Sequence, residues 1–157
     1  MSEADIQNST DLTGKTAMIT GASSGLGVRF AKVLAAAGAR VVIAARRADK
    51  LAELADVITK NGGTAHAVSL DVNDFDAIPD FFATLRDDGF MPDILINNAG
   101  MNVVKTALDY SVADYNQVMG TNLTGPFFLS TEMARHHIAQ GSAARIVNIA
   151  SVGGFKV

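Results

Sequence analysis

Met18-Ile-Thr-Gly-Ala-Ser-Ser-Gly-Leu-Gly27 is the stretch of sequence on which the predicted fold depends. It continues an apolar, β-branched run that begins at Thr16, and this run predicts a short buried strand through Thr20. A helical pattern follows the glycines. Gly21 permits a tight turn out of the strand, Gly25 leaves room for the backbone to approach a bulky anion, and Gly27 allows the helix to pack closely.

A strand, a glycine-rich turn and a helix in this order are typical of a phosphate-binding junction. Backbone N–H groups at the start of the helix would face a pyrophosphate, and the helix dipole would favour the negative charge. Ser23 and Ser24 add hydroxyl groups that can donate to a ligand or cap the helix. The spacing is G-x-x-x-G-x-G, and no Lys follows the last glycine as a P-loop requires. A glycine-rich loop without a ligand remains the alternative.

The composition fits one soluble globular domain and excludes several classes of function. The chain has 157 residues, of which 48% are hydrophobic and 18% charged. Its net charge of −3 gives no electrostatic reason to expect a nucleic acid or an anionic membrane as partner. There is no cysteine, and the three histidines form no ligand pattern, so we predict no disulfide and no metal site. No apolar run reaches transmembrane length, which favours a cytoplasmic protein.

Apolar and polar periodicity divides the chain into alternating strands and helices. We predict a flexible N-terminal tail over residues 1–11 and a single dinucleotide-binding domain over residues 12–157. Asp49 is expected to cap the second helix. Ser111 and Asp114 resemble a capping box that opens a long helical region to about residue 139, bent at Pro126. The predicted strands cover residues 16–20, 39–45, 64–70, 93–97 and 145–150.

This alternation predicts an α/β fold, a doubly wound (Rossmann-like) parallel sheet with five strands in the order 3-2-1-4-5 and one incomplete edge. Ligands of such sheets bind outside the carboxyl ends of the strands. The polar clusters of this sequence fall at those ends, which favours one crevice built from five strand ends. The clusters are residues 20–27, Arg46-Arg47, Asp71, residues 97–100 and Ser151.

Five motifs in sequence order resemble the compact oxidoreductase branch of the short-chain dehydrogenase/reductase family, over residues 12–154. The resemblance implies a nicotinamide dinucleotide cofactor and hydride transfer between it and a small-molecule carbonyl or alcohol substrate. It also implies a homo-oligomer, a dimer or tetramer, formed partly through the long helix at residues 112–139. The motifs are Thr20-Gly-Ala-Ser-Ser-Gly-Leu-Gly27, Asp71, Asn97-Asn-Ala-Gly100, Asn-Leu-Thr-Gly125 with its Asn122, and Ser151 after Ile-Val-Asn-Ile-Ala.

The resemblance also implies roles for individual residues. Asp71 would meet the adenine, and Asn98 to Gly100 would line the ribose side. Asn122 would hold a water molecule in a proton relay, and Ser151 would hydrogen-bond the substrate oxygen, where a hydroxyl donor stabilises developing alkoxide charge. The candidate cofactor-binding residues are Gly21, Ser23, Ser24, Gly25, Leu26, Gly27, Arg46, Arg47, Asp71, Val72, Asn98, Ala99 and Gly100.

The end of the second predicted strand favours NADP(H) over NAD(H). An NAD site usually places Asp or Glu there, about 20 residues after the glycines, to accept the ribose hydroxyls. This sequence has Ala44-Ala45-Arg46-Arg47 at that place. A guanidinium group suits a 2′-phosphate. Arg46 is the better candidate, and Arg47 is expected to stack on the adenine or face solvent.

A general acid is missing from the sequence, although reduction of a carbonyl requires one. The family uses a Tyr-x-x-x-Lys pair about a dozen residues beyond the Ser, and this sequence ends at Val157. Tyr110 and Tyr115 lie upstream and have no Lys four residues on. We therefore expect the N-terminal part of a longer enzyme, inactive by itself and prone to aggregate beside its fifth strand. A nucleotide-binding module without catalysis is the alternative function, and Lys156 is the one other candidate acid near the end.

Overall fold

A five-stranded parallel sheet forms the centre of the computed structural model, which describes residues 11–151. The strand order is β3-β2-β1-β4-β5, and every neighbouring pair is parallel. The predicted fold class and strand order are therefore confirmed. The strands are β1 (Thr16–Thr20), β2 (Arg40–Ala45), β3 (Thr64–Ser69), β4 (Ile94–Asn97) and β5 (Arg145–Asn148).

Helices connect the strands and cover both faces of the sheet. They are α1 (Gly25–Ala36), α2 (Ala48–Lys60), α3 (Ile78–Asp87), α4 (Val112–Met119) and α5 (Gly125–Gln140). Two 3₁₀ turns, Phe75–Ala77 and Ala107–Asp109, precede α3 and α4. A five-residue π-helical turn, Gly120–Thr124, joins α4 to α5, and we call it the π turn.

Alternate residues of the central strands face opposite layers, because successive side chains of a strand point to opposite sides of the sheet. Ile19 and Ile43 belong to the core cluster that packs against α1 and α2. Met18 and Val42 belong to the second cluster, which packs against α3 and α5. All residues of β1 are buried, as a parallel strand covered on both faces requires.

The structure corrects two predicted helix features. Arg47, not Asp49, occupies the N-cap position of α2, and Asp49 lies in the first turn, where its carboxylate faces the positive end of the helix dipole. The long helical region is interrupted by the π turn, before Pro126, which lies within the first two positions of α5. Proline is tolerated there because the first N–H groups of a helix have no partner within it.

Three further predictions concern the start of α4, the fifth strand and the chain ends. The capping box is confirmed, since Ser111 and Asp114 exchange both hydrogen bonds. Ile146 and Val147 are 40% and 44% exposed, so the predicted incomplete edge of the sheet, with apolar side chains uncovered beside the fifth strand, is confirmed in the described part of the chain. The reason is its position, because β5 is an edge strand of this sheet. Residues 1–10 of the tail predicted over residues 1–11 lie outside the described residues, as does Lys156.

Within residues 11–151, no helix is long and apolar enough to cross a membrane.

Candidate cofactor and active site

The glycine-rich loop leaves β1 with two glycines in left-handed backbone conformations, Gly21 at φ +66° and Gly25 at φ +56°. A Cβ on Gly21 would lie 2.8 Å from the Cα of Ala99, so this turn has no room for a side chain. A Cβ on Gly25 would meet no protein atom within 4 Å. Gly25 thus presents bare backbone at the start of α1, where an anion is favoured.

Gly27 allows the first turn of α1 to lie directly on the strand ends. A Cβ at this position would collide with the carbonyl oxygen of Gly21 and lie 2.8 Å from Nδ2 of Asn98. The close packing predicted for this glycine is therefore observed. Ser24 occupies the N-cap position of α1, but its side chain makes no capping hydrogen bond.

The carboxyl ends of β1 and β4 are joined by the Thr20 hydroxyl. Its Oγ1 accepts hydrogen bonds from the backbone N–H groups of Asn98 and Ala99, each at 3.0 Å, and donates to the carbonyl oxygen of Ile96 at 3.4 Å. Asn98 returns a bond, with Nδ2 donating to the Thr20 carbonyl oxygen at 2.9 Å. The residues predicted to line the ribose side are therefore held against the glycine-rich loop.

The two arginines after β2 differ in their contacts. Arg47 donates from Nη2 to the Ser23 hydroxyl at 3.0 Å and to the Ser23 carbonyl oxygen at 3.2 Å. Its guanidinium is therefore attached to the glycine-rich loop. Arg46 is exposed and makes no hydrogen bond or ion pair with any residue in the range 11–151. Its charge remains available for a ligand.

A cavity of about 380 Å³, which we call the cofactor cavity, lies outside the carboxyl ends of β1, β2, β3 and β4. It contains most of the predicted cofactor-binding residues. Gly25 and Gly27 are not among its lining residues, and Gly27 is buried in the first turn of α1 against Gly21 and Asn98. The predicted residues that line it are Gly21, Ser23, Ser24, Leu26, Arg46, Arg47, Asp71, Val72, Asn98, Ala99 and Gly100.

Sequence reasoning missed several residues of this cavity, among them Asn73, Met101 and Thr121. Asn73 follows the predicted Asp71 and Val72 directly, so its proximity was the available signal. Thr121 lies between Gly120 and the predicted Asn122. Nothing local in the sequence indicates that it faces a loop 48 residues away.

A second cavity, of about 700 Å³, adjoins the first, and we call it the substrate cavity. Ala99, Gly100 and Met101 line both cavities. Both predicted catalytic residues, Asn122 and Ser151, line the substrate cavity, although they come from the π turn and from the segment after β5. The fold therefore brings them to one space beside the cofactor cavity.

Both ends of the Asn122 side-chain amide are occupied by the backbone of Met101. Oδ1 accepts from the Met101 N–H at 2.9 Å, and Nδ2 donates to the Met101 carbonyl oxygen at 2.9 Å. The side chain thus fixes the segment that follows Gly100. A π turn departs from the regular i→i+4 hydrogen-bond ladder and is frequent at functional sites.

Asn97 forms a buried polar group at the back of the substrate cavity. Its Nδ2 donates to Asn148 Oδ1 at 2.8 Å and to Ser130 Oγ at 3.1 Å, which joins β4, β5 and α5. Its Oδ1 is buried without a hydrogen-bond partner. The contacts of Asn97 therefore fix the two strand ends that carry the cavity wall.

Neither tyrosine within residues 11–151 is placed as a general acid. Tyr110 donates its hydroxyl to the Val103 carbonyl oxygen at 2.6 Å, which braces the loop before α4. Tyr115 is 56% exposed on α4 and lines neither cavity. Among the same residues, no group of three or more His, Asp or Glu side chains is arranged to hold a metal ion.

One carboxylate anchors the loop beside the substrate cavity. Asp114 Oδ2 accepts from Lys105 Nζ at 2.6 Å and from Ser111 Oγ at 2.7 Å and Ser111 N at 3.0 Å. The hydrogen bonds from Lys105 and then Ser111 hold the pKa of Asp114 well below its usual range. The group therefore remains charged at any physiological pH and keeps the loop attached to α4.

The comparisons with known proteins agree with this geometry. Residues 15–157 match the family model for short chain dehydrogenase. A gluconate 5-dehydrogenase from Gluconobacter oxydans is 40% identical over 141 residues, which are 90% of this chain and 55% of that protein. A ketoacyl reductase, HetN, from a Nostoc species is 38% identical over 147 residues, 94% of this chain and 51% of that protein. The chain spans about half the length of these curated relatives.

Solved structures show the same fold. A short-chain type dehydrogenase/reductase from Mycobacterium marinum superposes with a TM-score of 0.90 at 36% identity, over 100% of this chain and 62% of that one. A gluconate 5-dehydrogenase from Burkholderia cenocepacia, in complex with NADP and tartrate, gives a TM-score of 0.86 at 33% identity, over 94% and 57%. From its motifs, its cavity and these matches, the chain belongs to the short chain dehydrogenase family.

Proposed function

We propose that this chain is the cofactor-binding part of an NADP(H)-dependent oxidoreductase acting on a small-molecule carbonyl or alcohol. The observation that carries the proposal is the cofactor cavity, which combines the glycine-rich loop, the Asp71 loop and an unpaired Arg46 at the carboxyl ends of four parallel strands. Ligands of doubly wound sheets bind at this place. The relatives with bound NADP support a nicotinamide cofactor.

The residues of the cofactor cavity fit a dinucleotide from one end to the other. Backbone N–H groups near Gly25 would hold the pyrophosphate, and Asp71 would accept a hydrogen bond from the adenine amino group. Asn98 to Gly100, fixed by the Thr20 hydroxyl, would line the nicotinamide ribose. The cofactor, when bound, supplies or accepts the hydride. The chain binds it, orients it and holds the adjoining substrate.

Ser151 and Asn122 would serve the substrate side. Ser151 lines the substrate cavity, and its hydroxyl would donate a hydrogen bond to the substrate oxygen as negative charge develops there. Asn122 keeps Met101 in place between the two cavities. A Ser hydroxyl is too weak an acid to deliver the proton, and Tyr110 and Tyr115 lie elsewhere. We propose that the general acid is supplied from outside residues 11–151.

The preference for NADP(H) rests on the charge at the end of β2. Arg46 has no partner within the described range, whereas Arg47 is attached to Ser23. A phosphate accepts charge-assisted hydrogen bonds from a guanidinium, and such bonds contribute about 1.5–3 kcal/mol. Arg46 is therefore the proposed partner of the 2′-phosphate, and Arg47 the residue that orders the loop beside it.

Titration of both cofactors tests the preference. We expect NADPH to bind more tightly than NADH, and Arg46→Ala to weaken NADPH binding about 10–100-fold while leaving NADH binding nearly unchanged. Arg86→Ala is the matched control, because Arg86 is an exposed arginine on α3 whose ion pair is with Asp87. Isothermal titration or cofactor fluorescence gives the affinities.

Two results would contradict the proposal. Tighter binding of NADH, or an unchanged NADPH affinity in Arg46→Ala, would remove the assigned role of Arg46. If a protein containing this chain binds the cofactor but reduces no carbonyl and oxidises no alcohol, the alternative function, a nucleotide-binding module, is favoured. The observation that favours this alternative is that neither Tyr110 nor Tyr115 lines either cavity.

A further inference from the structure

The loop after β3 and the π turn lie in direct contact, because the turn begins with one glycine, Gly120, and is followed by another, Gly125. A Cβ on Gly120 would collide with Oδ1 of Asn73, and a Cβ on Gly125 would collide with the carbonyl oxygen of Val72. Both glycines are buried. An approach this close is possible only without side chains at these two positions.

A hydrogen bond between side chains crosses this contact. Asn73 Nδ2 donates to Thr121 Oγ1 at 2.7 Å, and Thr121 is only 8% exposed. The backbone N–H of Asn73 donates to Asp71 Oδ1 at 3.0 Å, and its Nδ2 lies 3.5 Å from the same oxygen. Asn73 therefore binds both the proposed adenine partner and the π turn. Bulk water cannot easily replace a partner lost by a hydroxyl buried this deeply.

The contacts continue on the other side of the turn. Asn122 follows Thr121 in the chain and holds the Met101 backbone through two hydrogen bonds of 2.9 Å. Met101 lines both cavities. A continuous path of hydrogen bonds and covalent bonds thus leads from Asp71 at one end of the cofactor cavity to the wall of the substrate cavity.

We propose that Asn73 and Thr121 are positioning residues that couple the adenine end of the cofactor cavity to Asn122 and Met101. A ligand that fixes the Asp71 carboxylate also fixes Asn73, and through Thr121 it restricts the π turn. Ordering of one segment lowers the cost of ordering the next, and this is a physical basis for coupling between sites. The inference rests on the proposed function, because it takes Asp71 as the partner of the adenine.

Adenosine 2′,5′-bisphosphate tests the coupling, because it carries the adenine and phosphates but no nicotinamide. We expect a saturating concentration to slow backbone amide hydrogen exchange in residues 120–124 of the protein by about threefold or more. In Asn73→Ala the ligand should still bind, up to about tenfold more weakly. At saturation it should no longer slow exchange in the turn.

The paired variants at Thr121 separate the hydrogen bond from the space it occupies. Thr121→Ser keeps the hydroxyl and should keep the response, whereas Thr121→Val keeps the shape and should lose it. Asn61→Ala is the control, since Asn61 is an exposed asparagine whose Nδ2 donates to the Val57 carbonyl oxygen at the far end of α2. It should respond as the unmodified protein does.

The outcomes distinguish this inference from the proposed function. If NADPH and the bisphosphate bind but exchange in the turn does not change, the coupling is wrong and the proposed function stands. A full response in Asn73→Ala or Thr121→Val would also overturn the coupling. If neither ligand binds the unmodified protein, the proposed function fails, and the coupling fails with it.

Discussion

The Thr20 hydroxyl holds the ends of β1 and β4 together beside the cofactor cavity. It is the last residue of β1, it is buried, and it bonds three backbone groups near the end of β4. A strand end is otherwise a place where backbone groups lose their partners. One side chain therefore positions Asn98 and Ala99 relative to Gly21 with little freedom.

A substitution at Gly25 tests the proposed pyrophosphate site. We expect Gly25→Asn to lower NADPH affinity at least about tenfold, because the new side chain would occupy space proposed for the pyrophosphate. Asparagine tolerates the left-handed conformation at φ +56°, whereas a valine would add backbone strain to any steric effect. Cofactor titration and thermal melting measure the two effects separately.

Gly141→Asn is the matched control for Gly25→Asn. Gly141 has φ +62° and open space around its Cα, but it follows α5 and lines neither cavity. Both variants should lower the melting temperature by a similar small amount, since the backbone cost is the same. Normal NADPH binding by Gly25→Asn would mean that the phosphates lie elsewhere.

At the scale of elements, the start of α4 is expected to be sensitive to acid. The pKa of Asp114 is lower in the folded protein than its usual value of 3.8, so the carboxylate stays ionised. Its stabilising contribution is therefore complete above pH 3.8 and is lost as the pH falls through the lower pKa of the folded protein. Asp114→Ala should lower the melting temperature by about 2–5 °C between pH 5 and 8. The difference from the unmodified protein should shrink below about pH 4.

Lys105→Met separates the ion pair from the capping box in that experiment. It removes the 2.6 Å contact with Asp114 but leaves the three hydrogen bonds between Asp114 and Ser111. We expect a smaller effect than that of Asp114→Ala, because exposed ion pairs contribute little to stability. A difference that disappears already at pH 6, or grows in acid, would show that Asp114 does not stabilise the loop in this way.

The strands and helices could be predicted because their signals are local. The apolar run of β1 and the capping box of α4 are written in adjacent residues, and both are confirmed. The π turn was predicted as a bend at Pro126, since proline is the usual cause of a bend. The turn coincides with the close contact of Gly120 and Gly125 with Asn73 and Val72, which only the packed structure contains.

The candidate site, too, has residues that the sequence could predict and residues that only the packed structure shows. Residues of the glycine-rich loop and the strand ends could be assigned from motifs, because each motif is short and contiguous. The attachment of Arg47 to Ser23 could not, since it depends on where β2 ends and on which guanidinium reaches the glycine-rich loop. The bond from Asn73 to Thr121 spans 48 residues and follows from how the helices pack.

At the scale of the whole molecule, an uncovered apolar face favours a homo-oligomer. Leu123, Phe127 and Ile138, on the π turn and α5, are 58%, 62% and 80% exposed, and the first two also line the substrate cavity. We expect Ile138→Glu to shift the protein toward smaller species in sedimentation velocity, because a charge in such an interface is costly. Val33→Glu on α1, at a position 50% exposed, should leave the distribution unchanged.

An interface on this face would be contradicted if the unmodified protein sediments as a monomer. It would also be contradicted if Ile138→Glu and Val33→Glu show the same distribution of oligomeric species.

The strand order also means that β1 is synthesised well before one of its two neighbouring strands. β1 lies between β2 and β4, and the Asp93 carboxylate that receives the Thr16 N–H follows it by 77 residues. A ribosome adds about 5–20 residues per second, so roughly 4–15 s separate these two parts of the nascent chain. Throughout that interval one side of the strand Thr-Ala-Met-Ile-Thr has no partner and can bind a chaperone or another chain. We therefore expect the speed of translation between β2 and β4 to influence how much correctly folded protein a cell obtains.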